Sequence, residues 1–439
     1  MMTMTAITLT DEEKRKLTEI SQSAAEVYAR RARLILAYGE GKPTLQASRF
    51  AGISRGRARF WKRQFLAKGM SIFQTGTITT KKGKVLAGGV TSTVEREEAV
   101  PSQGYTQKAE KHTDLPIPYP QPRKRIGMTA DDTLAEAGKK VWLFYFAEML
   151  SHEQGTVQGE DIEELHDMRV ATRRMRTAFD IFSPAFPAKV MQHQLRGLQK
   201  IGRVLGKVRD LDVLLEKAVC YRDKSDVNEQ AWIQPLLDDW NNTIERKRLK
   251  MAKHLRSEAY QNFKYNFNLF LQVPETIDNQ PISDNGTYSR VRDVVPVLVY
   301  SRYAALRAYE AILPSASINQ LHALRIEFKK FRYTLEYFRE ILGDGINKAI
   351  SELKHLQDHL GELHDADVAC HLVIDFMQEW DKNQLQRPIT ERQNPEPIVT
   401  YLAYLHAERY RLTSTFPELW RKFNRTEFRQ IIAQAVSAL

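Results

Sequence analysis

The segment Leu165-His166-Asp167-Met168-Arg169-Val170-Ala171-Thr172-Arg173-Arg174-Met175-Arg176 returns 156 residues later as Leu321-His322-Ala323-Leu324-Arg325-Ile326-Glu327-Phe328-Lys329-Lys330-Phe331-Arg332, with one histidine and four cations at unchanged spacing. These side chains supply positive charge and hydrogen-bond donors. An arginine fork pairs with two oxygens of one phosphate, lysine brings a compact charge, and histidine gains charge beside an anion. At about 100° per residue, His166, Arg169, Arg173 and Arg176 fall within an arc of about 80° on a helix, one continuous stripe. A stripe written twice is a duplicated anion-binding surface. Its candidate ligands are His166, Arg169, Arg173, Arg174 and Arg176 in the first copy, and His322, Arg325, Lys329, Lys330 and Arg332 in the second.

The helices that carry these stripes are legible beside them. Met168, Ala171, Met175, Phe179 and Phe182 gather on a neighbouring face, as do Leu324, Phe328, Phe331, Leu335 and Phe338 in the second copy, so each stripe borders a face that must be buried. Asp161 with Glu164 and Ser317 with Gln320 have the spacing of capping boxes. Downstream, Leu205-Gly206-Lys207-Val208-Arg209-Asp210-Leu211-Asp212-Val213 matches Leu360-Gly361-Glu362-Leu363-His364-Asp365-Ala366-Asp367-Val368 at an offset of 155. Two ordered motifs at nearly one spacing imply a duplicated unit arranged about a pseudo-twofold axis, which would turn both stripes toward a shared cavity. Lys207 adds a candidate cation in the first copy, whereas Glu362 and His364 leave the second less positive. Arg209, Asp210 and Asp212 read as an internal ion-pair set that orients nearby arginines. Arg246, Lys250 and Lys253 on one face of a helix over 242–263, and Arg302 on the helix opening the second half, are secondary candidates.

Both copies resemble the CHAD family, the conserved histidine α-helical domain, from Met128 to near the C-terminus. The resemblance rests on His-x-x-Arg, the basic cluster after it, and Gly-x-x-Arg-Asp-x-Asp-Val, occurring in order. It implies an all-α fold of two four-helix bundles related by internal symmetry, around a basic central cavity that binds inorganic polyphosphate. Such a ligand carries about one charge per phosphate and no bases, so its recognition needs many cations along its length.

Composition agrees with that partner. The 65 lysines and arginines against 54 aspartates and glutamates leave a formal charge of +11, which favours a polyanion, and 42% hydrophobic residues suffice for a sizeable core. Cys220 and Cys370 are the only cysteines, without a Cys-x-x-Cys pair, and no apolar run is long enough for a membrane span or signal peptide. We therefore expect a reduced cytoplasmic setting, at polyphosphate granules or the nucleoid, and no cofactor or bound metal.

The chain divides into a small N-terminal domain at 11–73, a basic, proline-rich and disordered linker at 74–127, and the duplicated domain at 128–439, with repeats over 128–275 and 290–439. The first of these reads as helices at 11–22, 24–38, 44–51 and 55–66, the last two joined by Gly52-Ile53-Ser54. The stretch from Arg31 through Gly52-Ile53-Ser54-Arg55 to Trp61 and Phe65 is similar to the homeodomain-like helix-turn-helix of insertion-sequence transposases. Ala58, Trp61 and Phe65 share the inward face, and Arg55, Arg59 and Arg63 line the outward one, where they suit phosphate and major-groove contacts with duplex DNA.

Two other functions use the same residues. A metal-dependent phosphohydrolase would draw on His166, Asp167, His355, Asp358, His359, His364 and Asp365. The duplication speaks against it, because Asp167 becomes Ala323 and His364 answers to Arg209: the cations repeat and the metal-ligand types do not. No catalytic residue is therefore assigned. A nucleic-acid binder throughout would share the phosphate chemistry but needs aromatic rings between the cations, and the stripes offer few.

Overall fold

The computed structural model describes residues 7–23, 26–53, 58, 61–62, 64–66, 69–73, 117–159, 161–224, 233–272 and 290–439. Its chain forms two units, Met1–Thr113 and Asp114–Leu439. Among the described residues the fold is all-α, and its sole strand-like contact is the isolated antiparallel bridge between Thr133 and Arg290. No described helix is long and apolar enough to cross a membrane.

In the N-terminal unit, α1 (Asp11–Ser23), α2 (Glu26–Gly39) and α3 (Thr44–Ala51) follow the expected bounds closely. Thr10 and Glu13 close a capping box at the start of α1. Gly52 ends α3 in the left-handed region at φ +65°, which glycine enters without steric cost, and Ile53 N–H returns to the Ser48 carbonyl at 3.0 Å. Residues 58, 61–62 and 64–66 are helical. Ala58, Trp61 and Phe65 are buried with Ala47, Ala51 and Ile53, as their spacing predicts, and the Arg31 guanidinium lies 3.7 Å over the Trp61 ring. Arg55, Arg59 and Arg63 fall outside the described residues.

The C-terminal unit repeats one run of helices. Its first half contains α4 (Leu134–Ser151), the short α5 (Glu153–Gln158), α6 (Ile162–Phe182), α7 (Ala188–Arg222), α8 (Gln234–Leu255) and α9 (Glu258–Gln272). The second half contains α10 (Val291–Arg307), α11 (Ile318–Tyr337), α12 (Ile346–Leu385), α13 (Glu396–Phe423) and α14 (Thr426–Val436). With α5 set aside, α4, α6, α7, α8 and α9 correspond in order to α10 to α14, so each half holds five long or medium helices instead of four. The stripe helices α6 and α11 are held by the apolar faces read from sequence: Met168, Ala171, Met175, Phe179, Phe182, Leu324, Phe328, Phe331, Leu335 and Phe338 are all buried in one core. Burying such side chains is worth roughly 1.5–3 kcal/mol each, which anchors both helices far more firmly than helix propensity alone.

The two expected caps differ. Ser317 and Gln320 form the full box, whereas Asp161 accepts from Glu163 N–H at 3.0 Å, and the Glu164 carboxylate is engaged by His152 Nδ1 at 2.8 Å. The inserted α5 brings His152 within reach, and a charge-assisted contact competes for the carboxylate that the box would use.

Residues 117–127, within the stretch read as linker, lie against the C-terminal unit. Asn268 donates to the Ile117 carbonyl, Gln272 to that of Pro118, and Glu340 collects the backbone N–H groups of Ile126, Gly127 and Met128. The chain's own polar backbone finds these partners because proline-rich extended segments leave carbonyls unpaired within themselves. Residues 74–116 of the linker fall outside the described residues.

Candidate functional site

Stripe and second motif meet because α6 packs along α7, and α11 along α12. In the first half, Arg209 Nε donates to His166 Nδ1 at 3.2 Å, leaving Nε2 as the ring's donor when neutral, and Arg169 pairs with Asp210 at 2.7 Å. In the second half the matching residues meet again: the His322 and His364 rings stand 4.4 Å apart, and Asp365 is the strongest favourable charge acting on Arg325. The motif glycines make room for the cations. A Cβ on Gly206 would stand 3.6 Å from Arg169 Nε, and one on Gly361 would stand 3.8 Å from Arg325 Nε, so each guanidinium packs against the glycine of its own half. Asp212 pairs with Arg248 at 3.0 Å and Asp367 with Arg409 at 2.8 Å, a second pair of matched bridges. The aspartates therefore orient arginines, as their place in the motif suggested.

The two halves then bring their stripes together. Arg169, Arg173 and Arg176 from α6, with Lys329 and Lys330 from α11, line a cleft of about 350 Å³ whose other walls include Gln199, Gly202 and Asp180. Arg173 Nε donates to Tyr333 Oη at 2.7 Å across the halves, which aims its guanidinium. Burial, then the positive charges of Arg173, Arg325, Arg176 and Arg169, push the Lys329 ammonium down to about 8. Burial also lowers Arg169 and Arg325, with Arg173 adding to both shifts and Arg325 to that of Arg169. His322 is lowered by burial and by Arg325 and Lys329, and His364 falls to about 4 through burial, Arg325 and His322. Buried Arg209 Nη1 and His322 Nδ1 find no hydrogen-bond partner among the described residues. A site in which like charges are compressed is complementary to an anion.

The remaining sequence candidates are placed differently. Arg174 and Arg332 share Glu336: Arg174 Nη2 reaches Glu336 Oε2 at 2.8 Å, Arg332 binds the other oxygen, and Arg332 Nε also donates to Gln357 at 3.0 Å. Together with Tyr337 Oη donating to the Arg174 carbonyl at 2.7 Å, they clamp one half to the other. Lys330 lines the cleft while pairing with Glu327 at 2.8 Å. Lys207 is exposed on α7, Arg246 bonds Thr243 at 2.9 Å, and Lys250, Lys253 and Arg302 are not among the cleft's lining residues. Tyr333, Arg248 and Arg409 were not singled out by their spacing. Arg248 and Arg409 recur at an offset of 161, but the residues around them differ too much to reveal the match.

Three residues of the hydrolase alternative have other partners. His359 Nε2 contacts the Leu412 carbonyl at 2.7 Å beside Phe416, His364 faces His322, and Asp365 accepts from Lys217 at 2.8 Å.

A duplicated all-α unit with a cationic cleft between its halves is thus the class of protein that fold and site define. Residues 141–373 match the CHAD domain, and the chain belongs to the CHAD domain family. The fold is similar to the crystal structure of the CHAD domain from the plant Ricinus communis, with 22% identity and a TM-score of 0.50 over 73% of this chain and 97% of that one. PptA from Streptomyces chartreusis aligns at 15% identity and a TM-score of 0.48, over 66% of this chain and 99% of its own. No curated protein matches the chain in sequence.

Proposed function

We propose that the C-terminal unit binds inorganic polyphosphate in the cleft between α6 and α11, with Arg169, Arg173, Arg176 and Lys329 as its principal contacts and Arg325 as a charge beside them. The observation that carries this reading is the meeting of both stripes in one cleft, where Lys329 is held at about 8 by burial and surrounding arginines. Membership of the CHAD family supports it, since polyphosphate binding is known in that family. None of the described residues lining the cleft is aromatic, which favours a polyanion without bases over a nucleic acid. Replacing Arg169, Arg173, Arg325 and Lys329 together by glutamine should abolish binding of long polyphosphate, measured by titration. Replacing the pair on one helix should weaken it less, because the other half still holds part of the polymer. A quadruple variant with a wild-type helical spectrum and wild-type affinity would refute the assignment. The reading contains no catalytic step: incubation with polyphosphate and Mg²⁺ should release no phosphate above a blank, and release that disappears in His364→Ala would replace it with the hydrolase.

We also propose that the N-terminal unit contacts duplex DNA as a helix-turn-helix. Helix α3, the left-handed Gly52 and the buried Ala58, Trp61 and Phe65 beyond it support this. Replacing Arg55, Arg59 and Arg63 should remove duplex binding by the full chain and leave polyphosphate binding intact. Each arginine that neutralises a DNA phosphate should, once replaced, lower the slope of log affinity against log salt by roughly 0.9. Unchanged affinity and slope would make the unit an adaptor that does not touch DNA.

A further inference from the structure

The stripes of both halves end on a carboxylate one turn beyond their last arginine: Asp180 follows Arg176, and Glu336 follows Arg332, 156 positions on. The two are used differently. Glu336 is held by Arg174 at 2.8 Å and by Arg332, so its charge is spent in the clamp between the halves. Asp180 is exposed, lines the cleft with Arg169, Arg173 and Arg176, and has no side-chain ion pair among the described residues. The arginine one turn before it turns away: a Cβ on Gly202 would stand 3.2 Å from Arg176 Nη1, so that guanidinium rests on α7, near Arg203. Asp180 acts on it through space, without a contact. Gln199, whose side-chain amide makes no hydrogen bond among the described residues, lines the same cleft and offers a neutral oxygen. Asp210 and Asp212, by contrast, are each neutralised by an arginine. A bare carboxylate is out of place in a polyanion's cleft, since a phosphate charge about 4 Å from it lowers affinity by a factor of roughly five even in water. Among the described residues, no three histidines, cysteines or carboxylates converge to hold a metal by themselves. A cation at Asp180 must therefore take its remaining ligands from the polymer.

We propose that Asp180 binds a divalent cation together with phosphate oxygens of the polymer, so that the cleft takes polyphosphate in its magnesium form at this end. This deepens the polyphosphate reading and rests on it. Mg²⁺ is ordinarily held by one or two carboxylates and substrate phosphates, with water completing its shell, and a densely charged polyanion carries cations with it as counterions. The cation turns the repulsion between Asp180 and the nearest phosphate into a bridge, and Gln199 offers a further oxygen within the cleft. At the matching place in the second half, Glu336 is closed by its two arginines and takes no cation. The polymer then has a register: the arginines and Lys329 hold bare phosphates, and Asp180 holds one that carries a cation.

The test is a titration of the full-length protein with long-chain polyphosphate, in EDTA and in Mg²⁺ at matched ionic strength, for wild type and Asp180→Asn. In EDTA the variant should bind about fivefold more tightly, because no bare carboxylate repels the phosphate, and misfolding cannot mimic that gain. In Mg²⁺ the advantage should vanish or reverse, since the wild type alone gains the bridge. A variant tighter by the same factor in both buffers would make Asp180 a plain repulsive charge, and one weaker in both would make it a support for Arg176. Either result overturns the cation bridge, as does a variant indistinguishable from wild type in both buffers. A wild-type chain that binds polyphosphate in neither buffer removes the polyphosphate reading, and this inference with it.

Discussion

Lys329 shows how one residue's chemistry is set by what surrounds it. Burial and surrounding arginines hold its ammonium at about 8, and a bound polyanion would restore it toward the ordinary lysine range. Binding must then take up a proton above about pH 8. Polyphosphate affinity should be flat below that value and fall above it, by up to about tenfold per pH unit. The same depressed group binds fewer protons in the folded chain than in the unfolded one over this window, so its contribution to stability rises with pH there. Lys329→Arg keeps the charge and should flatten the affinity profile. Titrations on either side of about pH 8 check this, and equal slopes in wild type and variant would show that another group is responsible. His364, held at about 4, acts in the same sense at the acidic end: a polyanion that raises it should bind more tightly as pH falls below the ordinary histidine range.

Among the helices, the close approach of α4 to α6 decides where the first stripe stands. A Cβ added at Gly138 would lie 2.8 Å from Phe182 Cβ, which sits at the base of its side chain and has little freedom to move. Trp142 Nε1 also donates to the Met175 carbonyl at 3.2 Å, fixing α6 in register. Gly138→Ala should therefore lower stability by about 1–2 kcal/mol, since overpacking of about 1–3 kcal/mol outweighs a helix-propensity gain of about 1 kcal/mol. Urea unfolding measures this, and a variant more stable than wild type would mean that the two helices separate at little cost. Sequence periodicity identified α6 and α11 and their buried faces, because a 3.6-residue apolar repeat is a local property. It did not identify Gly138 as a point of close approach, since an isolated helical glycine looks the same whether or not another helix crosses it.

For the molecule as a whole, the packing of 117–127 predicts a boundary. Tyr119 meets the Phe146 ring edge-on at 6.3 Å, and Glu340 holds the backbone of residues 126–128. A fragment starting at Ile117 should fold with the full stability of the C-terminal unit and bind polyphosphate like the whole chain. One starting at Met128 should bind also but unfold at lower temperature, because Phe146 is stripped of its cover and Glu340 of two of its three backbone donors. Equal melting temperatures for the two fragments would show that the strap adds nothing. The proline-rich composition of 116–122 reads as part of a disordered linker; that 117–122 instead docks depends on Asn268 and Gln272, each about 150 positions away.

By itself the sequence determined the internal duplication, which helices carry the cations, and which residues of those helices are buried, each from spacing along the chain. The all-α class came from the resemblance to the CHAD family. The tertiary structure decided which cations stand open to a ligand. Arg173 and Arg174 are neighbours on one helix, yet Arg173 lines the cleft while Arg174 is neutralised by Glu336, 162 positions away. Spacing places a charge on a face of a helix, but the opposing carboxylate, the loss of water and the compression of like charges that set its chemistry all come from residues distant in the chain.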